Sequence, residues 1–118
     1  EHGSTFGGNP LAAAAGNAAL DVFEQENLLE QARENGEWLM ARLRSLSPKH
    51  PSIIEVRGKG LMIGIELKSE SKPVLQAAQG RGLLVLSGGD VVVRLLPPLN
   101  TPREVYERAL KILDGVLP

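Results

Sequence analysis

The strongest constraint on this chain is a change of hydrophobic period between residues 46 and 54. Upstream, Leu28/Leu29, Ala32, Gly36, Leu39/Met40, Leu43 and Leu46 recur at helical spacing, which predicts a helix from about Asn27 to Leu46. Downstream, Ile54 and Val56, then Leu61, Ile63, Ile65 and Leu67, alternate with polar or small residues and predict two strands joined at Gly58-Lys59-Gly60. Ser47-Pro48 marks the switch, because proline disfavours helix in the residue before it. A chain that reads helical and then alternating requires helices packed on a sheet.

The remaining punctuation extends this pattern. Asn9 is a good N-cap and Pro10 fits a first helical turn, so a helix is expected to start there and run through Phe23. Its run Ala12–Ala15, Gly16, Ala18 and Ala19 is small-sided, which lets another backbone approach closely. This helix is therefore expected to bury itself against a neighbour that the chain itself need not supply. A short helix near Pro73–Gly80 precedes two strands, Leu83–Leu86 and Val91–Leu95, with Ser87-Gly88-Gly89-Asp90 as their hairpin turn. Thr101-Pro102-Arg103-Glu104 reads as a capping box with proline at the first helical position. Val105, Ala109, Ile112/Leu113 and Val116 form the apolar stripe of the helix that follows. The expected fold class is α+β, with a mainly antiparallel sheet and helices on one face.

Composition narrows the function. With 118 residues there is room for one domain and hardly two. Thirteen basic against fourteen acidic residues leave a net charge of −1, which argues against a nucleic-acid or membrane-surface binder driven by charge. Aromatic residues are 3% of the chain, too few for a base-stacking platform. No apolar run approaches the roughly 18 residues of a membrane span. Cysteine is absent, so disulfides, thiol nucleophiles and Cys-ligated zinc are excluded, and a cytoplasmic location is expected. The chain opens with neither an initiator Met nor a signal-peptide pattern, so it is expected to begin partway through a longer protein.

Two places could carry chemistry. Gly3-Ser4-Thr5-Phe6-Gly7-Gly8-Asn9 stands directly before a helix start, where hydroxyls, free backbone N–H groups and the helix dipole could receive a phosphate or carboxylate. The same residues also serve as a plain glycine-rich capping loop, and they match neither the Walker nor the dinucleotide spacing. Arg94 is the second place. It interrupts the apolar run Val91-Val92-Val93 and Leu95-Leu96, and a guanidinium that cannot deprotonate needs an acceptor if buried. A ligand carboxylate held in bidentate fashion would serve; so would water at a sheet edge, Asp90 or a glutamate. His2 and His50 are isolated, with no metal-ligand spacing, and none of the five lysines sits in an apolar setting that would depress its pKa.

The order of these motifs resembles a known family. His2 to Ala12 is similar to the segment that follows the cofactor lysine in class III aminotransferases, which are pyridoxal-phosphate enzymes of fold type I. Arg57-Gly58-Lys59-Gly60-Leu61-Met62-Ile63-Gly64-Ile65-Glu66-Leu67 resembles their small-domain hairpin, and Val93-Arg94-Leu95-Leu96-Pro97-Pro98-Leu99 their carboxylate-binding strand. The nearest branches are those acting on acetylornithine and on LysW-linked aminoadipate semialdehyde.

The resemblance implies a division into residues 1–25, the end of a large domain with its connecting helix, and 26–118, a small C-terminal domain. It implies that Thr5 binds the cofactor phosphate across a homodimer interface. Ser4 would lie near the substrate, and Arg94 would bind the α-carboxylate of the amino donor or of 2-oxoglutarate. The implied activity moves an amino group between an N-acylornithine-like or lysine-precursor amine and 2-oxoglutarate, in arginine or lysine biosynthesis. The cofactor lysine and the aspartate that holds the pyridine nitrogen are expected upstream, so the isolated chain is expected to be inactive. Other readings are a family branch that uses 4-aminobutyrate, ornithine or putrescine, and a non-catalytic α+β module that binds anions or a protein.

Overall fold

The computed structural model describes residues 3–118; Glu1 and His2, the latter the first residue of the His2–Ala12 motif, lie outside the described residues. Four helices and four strands alternate as α1 (Pro10–Gln25), α2 (Leu28–Arg44), β1 (Ile53–Lys59), β2 (Met62–Leu67), α3 (Lys72–Gly80), β3 (Leu86–Ser87), β4 (Val92–Leu95) and α4 (Arg103–Asp114). The strands form one antiparallel sheet in the order β1-β2-β4-β3. This is the α+β arrangement expected.

Alternation sets the two faces of the sheet. Ile63, Ile65 and Leu67 of β2, Val56 of β1, and Val93 and Leu95 of β4 are buried together with Leu39 and Leu43 of α2 and Tyr106, Leu110 and Leu113 of α4. On the other face Arg57, Met62, Gly64, Glu66, Val92 and Arg94 are exposed or half-buried. A one-residue slip of β2 would put Ile63 and Ile65 into water, so the register is firmly specified.

Three expectations need correction. The buried stripe of α4 is Tyr106, Leu110, Leu113 and then Leu117 beyond its end; Val105 is exposed. One residue turns a helix by 100°, and Tyr106, which carries a hydroxyl, is the aromatic anchor of the face that faces the core. The capping box does not form: Thr101 donates its hydroxyl to the Pro98 carbonyl at 2.7 Å, and Pro102 itself occupies the N-cap position. The third strand is only Leu86–Ser87, because Leu83 donates its N–H to the Ala78 carbonyl and stays tied to the end of α3.

α1 stands apart from this body. Asn9 caps it as expected, its side chain accepting from Leu11 N at 2.9 Å and Ala12 N at 3.3 Å. The helix buries no residue, and Leu11 and Leu20 are largely exposed. The radius of gyration is 17.2 Å, against about 13.5 Å for a compact chain of this length. Among the described residues no neighbour covers the small side chains.

Candidate functional site

The loop before α1 is held by its own side chains. Ser4 Oγ accepts from Gly7 N at 3.1 Å, and Gly7 N also reaches the Ser4 carbonyl at 3.3 Å. Gly8 takes φ +75°, which turns the chain into the helix. The expectation of free N–H groups at the helix start is only partly met, since Asn9 takes those of Leu11 and Ala12. Thr5 is exposed, and its hydroxyl makes no hydrogen bond to another described residue. A hydroxyl donor on an open loop at a helix N-terminus suits one oxygen of a phosphate; it does not by itself enclose one.

Arg94 has neither an edge position nor, among the described residues, an acidic partner. β4 is an interior strand, flanked by β2 and β3, so Arg94 is not an edge residue. It forms no ion pair among the described residues, with Asp90 or any glutamate, and its Nε is buried without a partner. Its cross-strand neighbours are Gly64 on β2 and Leu86 on β3. Gly64 contributes no side chain beside Arg94, and Val92 Cγ1 lies 3.2 Å from where a Cβ on residue 64 would stand. A buried Nε with no protein acceptor is costly, and a carboxylate or other anion bound there would satisfy it.

Beyond Arg94, β4 and the segment Leu83–Val85 separate around a cavity of about 360 Å³, floored by Leu39 and Tyr106 and walled by Pro97 and Pro98. The Tyr106 hydroxyl, also buried, is the second unpartnered polar atom here. Thr101 lies beside it and donates its own hydroxyl proton to the Pro98 carbonyl. Burial pushes the Tyr106 phenol above its usual value, an effect that Thr101 and Arg103 partly offset. Tyr106 was missed in the sequence, where only its spacing from Leu110 and Leu113 could have marked it. Trp38 backs the tyrosine at 6.5 Å between ring centroids, and Arg103 stacks on the indole at 4.2 Å.

Arg94 thus lines a cavity that includes neither Ser4 nor Thr5. No hydrogen bond joins the loop to Arg94 among the described residues. His50 is buried and bonds Asp114 Oδ1 at 2.9 Å, a structural tie between the α2–β1 connection and α4. Among the described residues no group of three or more His, Asp or Glu is placed to hold a metal. Among the described residues no helix is long and apolar enough to cross a membrane.

Comparison with known proteins turns this geometry into a family assignment. The family described as aminotransferase class-III matches residues 1–117. The chain belongs to the class III aminotransferases. An ornithine aminotransferase from an Exiguobacterium species is 47% identical over 98% of the chain and 28% of its own length. The [LysW]-aminoadipate semialdehyde transaminase of Deinococcus radiodurans is 46% identical over 98% of the chain and 27% of its own length. Among solved structures, acetylornithine aminotransferase from Elizabethkingia anophelis superposes with a TM-score of 0.90 at 37% identity, covering 99% of this chain and 32% of that one. The chain therefore spans less than a third of the length of these relatives. Class III aminotransferases are in general pyridoxal-phosphate enzymes acting on amino and oxo acids.

Proposed function

We propose that this chain is the C-terminal portion of a pyridoxal-phosphate-dependent aminotransferase. The parent moves the terminal amino group of an ornithine-like, N-acylornithine-like or lysine-precursor amine to 2-oxoglutarate, in arginine or lysine biosynthesis in the cytoplasm. Support for this substrate class comes from the three kinds of relative, which share an amine or aldehyde at the end of an ornithine- or lysine-like side chain.

Residues 1–25 then close the large domain, and 26–118 form the small domain. Arg94 binds the α-carboxylate of the amino donor or of the oxo acid, and two parallel N–H···O bonds fix the orientation of the reacting carbon. Thr5 donates its hydroxyl to the cofactor phosphate of the partner subunit in a homodimer, with Ser4 beside the substrate. The separation of the loop from the Arg94 cavity supports an arrangement in which the two serve different active sites. The bound cofactor supplies the electron sink for the chemistry at the amine-bearing carbon. Without the cofactor lysine expected upstream, the 118 residues alone would have no transaminase activity, and robust turnover by them would overturn this.

The observation that carries the reading is the buried, unpartnered Nε of Arg94 on an interior strand beside Gly64. In the full-length enzyme, Arg94→Lys loses the bidentate grip. It is expected to raise KM for 2-oxoglutarate and for the amino donor well beyond any change in cofactor affinity. Unchanged KM values would remove Arg94 from the site.

A further inference from the structure

The register places Arg57, Gly64, Arg94 and Leu86 in one row across all four strands. Glu66 stands two residues from Gly64 on the same face, paired with Val92. It is therefore the diagonal neighbour of Arg94, at a separation of about 7–8 Å that a glutamate and an arginine readily span. Of the acids in the sheet, Glu66 is the one placed to quench Arg94. It does not do so. Its carboxylate bonds Arg57 Nη1 instead, and the same nitrogen holds Glu55 at 2.9 Å. The row thus contains one arginine that holds two carboxylates through a single nitrogen and one that holds none.

We propose that Arg57 is a positioning residue: by binding Glu66 it withholds that carboxylate from Arg94 and keeps the Arg94 guanidinium open to a substrate carboxylate. This rests on the assignment of Arg94 above. Gly64 itself puts no side chain between the two arginines, and only the methyl of Val92 leans over it.

The test uses the full-length enzyme and reads KM for 2-oxoglutarate separately from kcat. Arg57→Gln frees Glu66, and KM is expected to rise about fivefold, the worth of a part-exposed ion pair, with cofactor absorbance unchanged. Adding Glu66→Gln to that variant is expected to restore KM, and Arg57→Lys, which keeps a cation on Glu66, to leave it near its starting value. A double variant as impaired as Arg57→Gln alone would overturn the proposal, because a structural role of Arg57 is not rescued by removing Glu66. An unchanged KM in Arg57→Gln would overturn it too. Arg94→Gln measured alongside separates the two claims: if it raises KM while Arg57→Gln does not, only the role of Arg57 falls. If it leaves KM unchanged, the Arg94 assignment falls, and the role of Arg57 with it.

Discussion

Gly36 of α2 and Gly60 of the β1–β2 turn meet backbone to backbone: a Cβ on residue 36 would stand 2.2 Å from the Gly60 carbonyl oxygen. Gly60 holds φ +54° to make that turn. The contact sets how closely the helix lies on the first hairpin, and therefore where the rest of β2 and β4 fall beneath it.

Gly36→Ala cannot be accommodated without moving one backbone off the other. A loss of about 3 kcal/mol is expected, the upper range for overpacking a core. Urea unfolding should show a lower midpoint with an unchanged slope. A midpoint equal to that of the parent would mean that α2 does not sit on the turn.

Acid should loosen the link between α2–β1 and α4. The His50 ring, and then the Lys49 ammonium, hold the Asp114 carboxyl below the ordinary carboxylate value. Between that lowered value and the ordinary one near 3.8, the unfolded chain binds the extra proton, so stability rises with pH through this window. The contribution is complete above the ordinary value and is lost as pH falls through the folded one. Asp114→Asn is expected to flatten that part of the stability–pH curve, as followed by thermal melts across the acid range; an unaltered curve would assign it to other carboxylates.

For Thr5, the readout is cofactor retention by the full-length enzyme. Removing a hydroxyl that donates to a charged phosphate is expected to weaken pyridoxal-phosphate affinity about tenfold in Thr5→Ala. Equal retention on dialysis would move the phosphate contact elsewhere in the loop.

Asn9→Ala removes the side chain that satisfies two N–H groups at the start of α1. The local cost is about 1 kcal/mol. Because α1 buries nothing in this chain, hydrogen exchange should accelerate in α1 while the unfolding midpoint of the body stays put. A lowered midpoint would show that α1 is coupled to the core.

Much of this was legible in the sequence, and the exceptions have physical causes. The alternation of Ile63, Ile65 and Leu67, the Asn9-Pro10 start and the glycine turns predict elements that the structure contains. Thr101 failed as a cap because a carbonyl closer in space, that of Pro98, competes for its hydroxyl. The face of α4 was displaced by one position because aliphatic spacing alone placed Val105, rather than Tyr106, toward the core. Leu83–Val85 has the composition of a strand, yet its first N–H is claimed by α3. At the candidate site, Arg94 was visible as a charge in an apolar run. The fact that Glu66 is taken by Arg57 depends on strand register, which no local pattern encodes.

The solitary α1 has a consequence for how a protease would meet this polypeptide. Every buried residue among those described lies at Leu28 or beyond, and the junction passes through Asn27 at φ +50° with no side-chain cap. Limited digestion should open the chain near Glu26-Asn27 and leave a resistant fragment that retains the whole apolar interior. Once α1 has a surface to lie on, the same bond should be shielded, so the rate of this single nick reports directly on whether the helix has found its place.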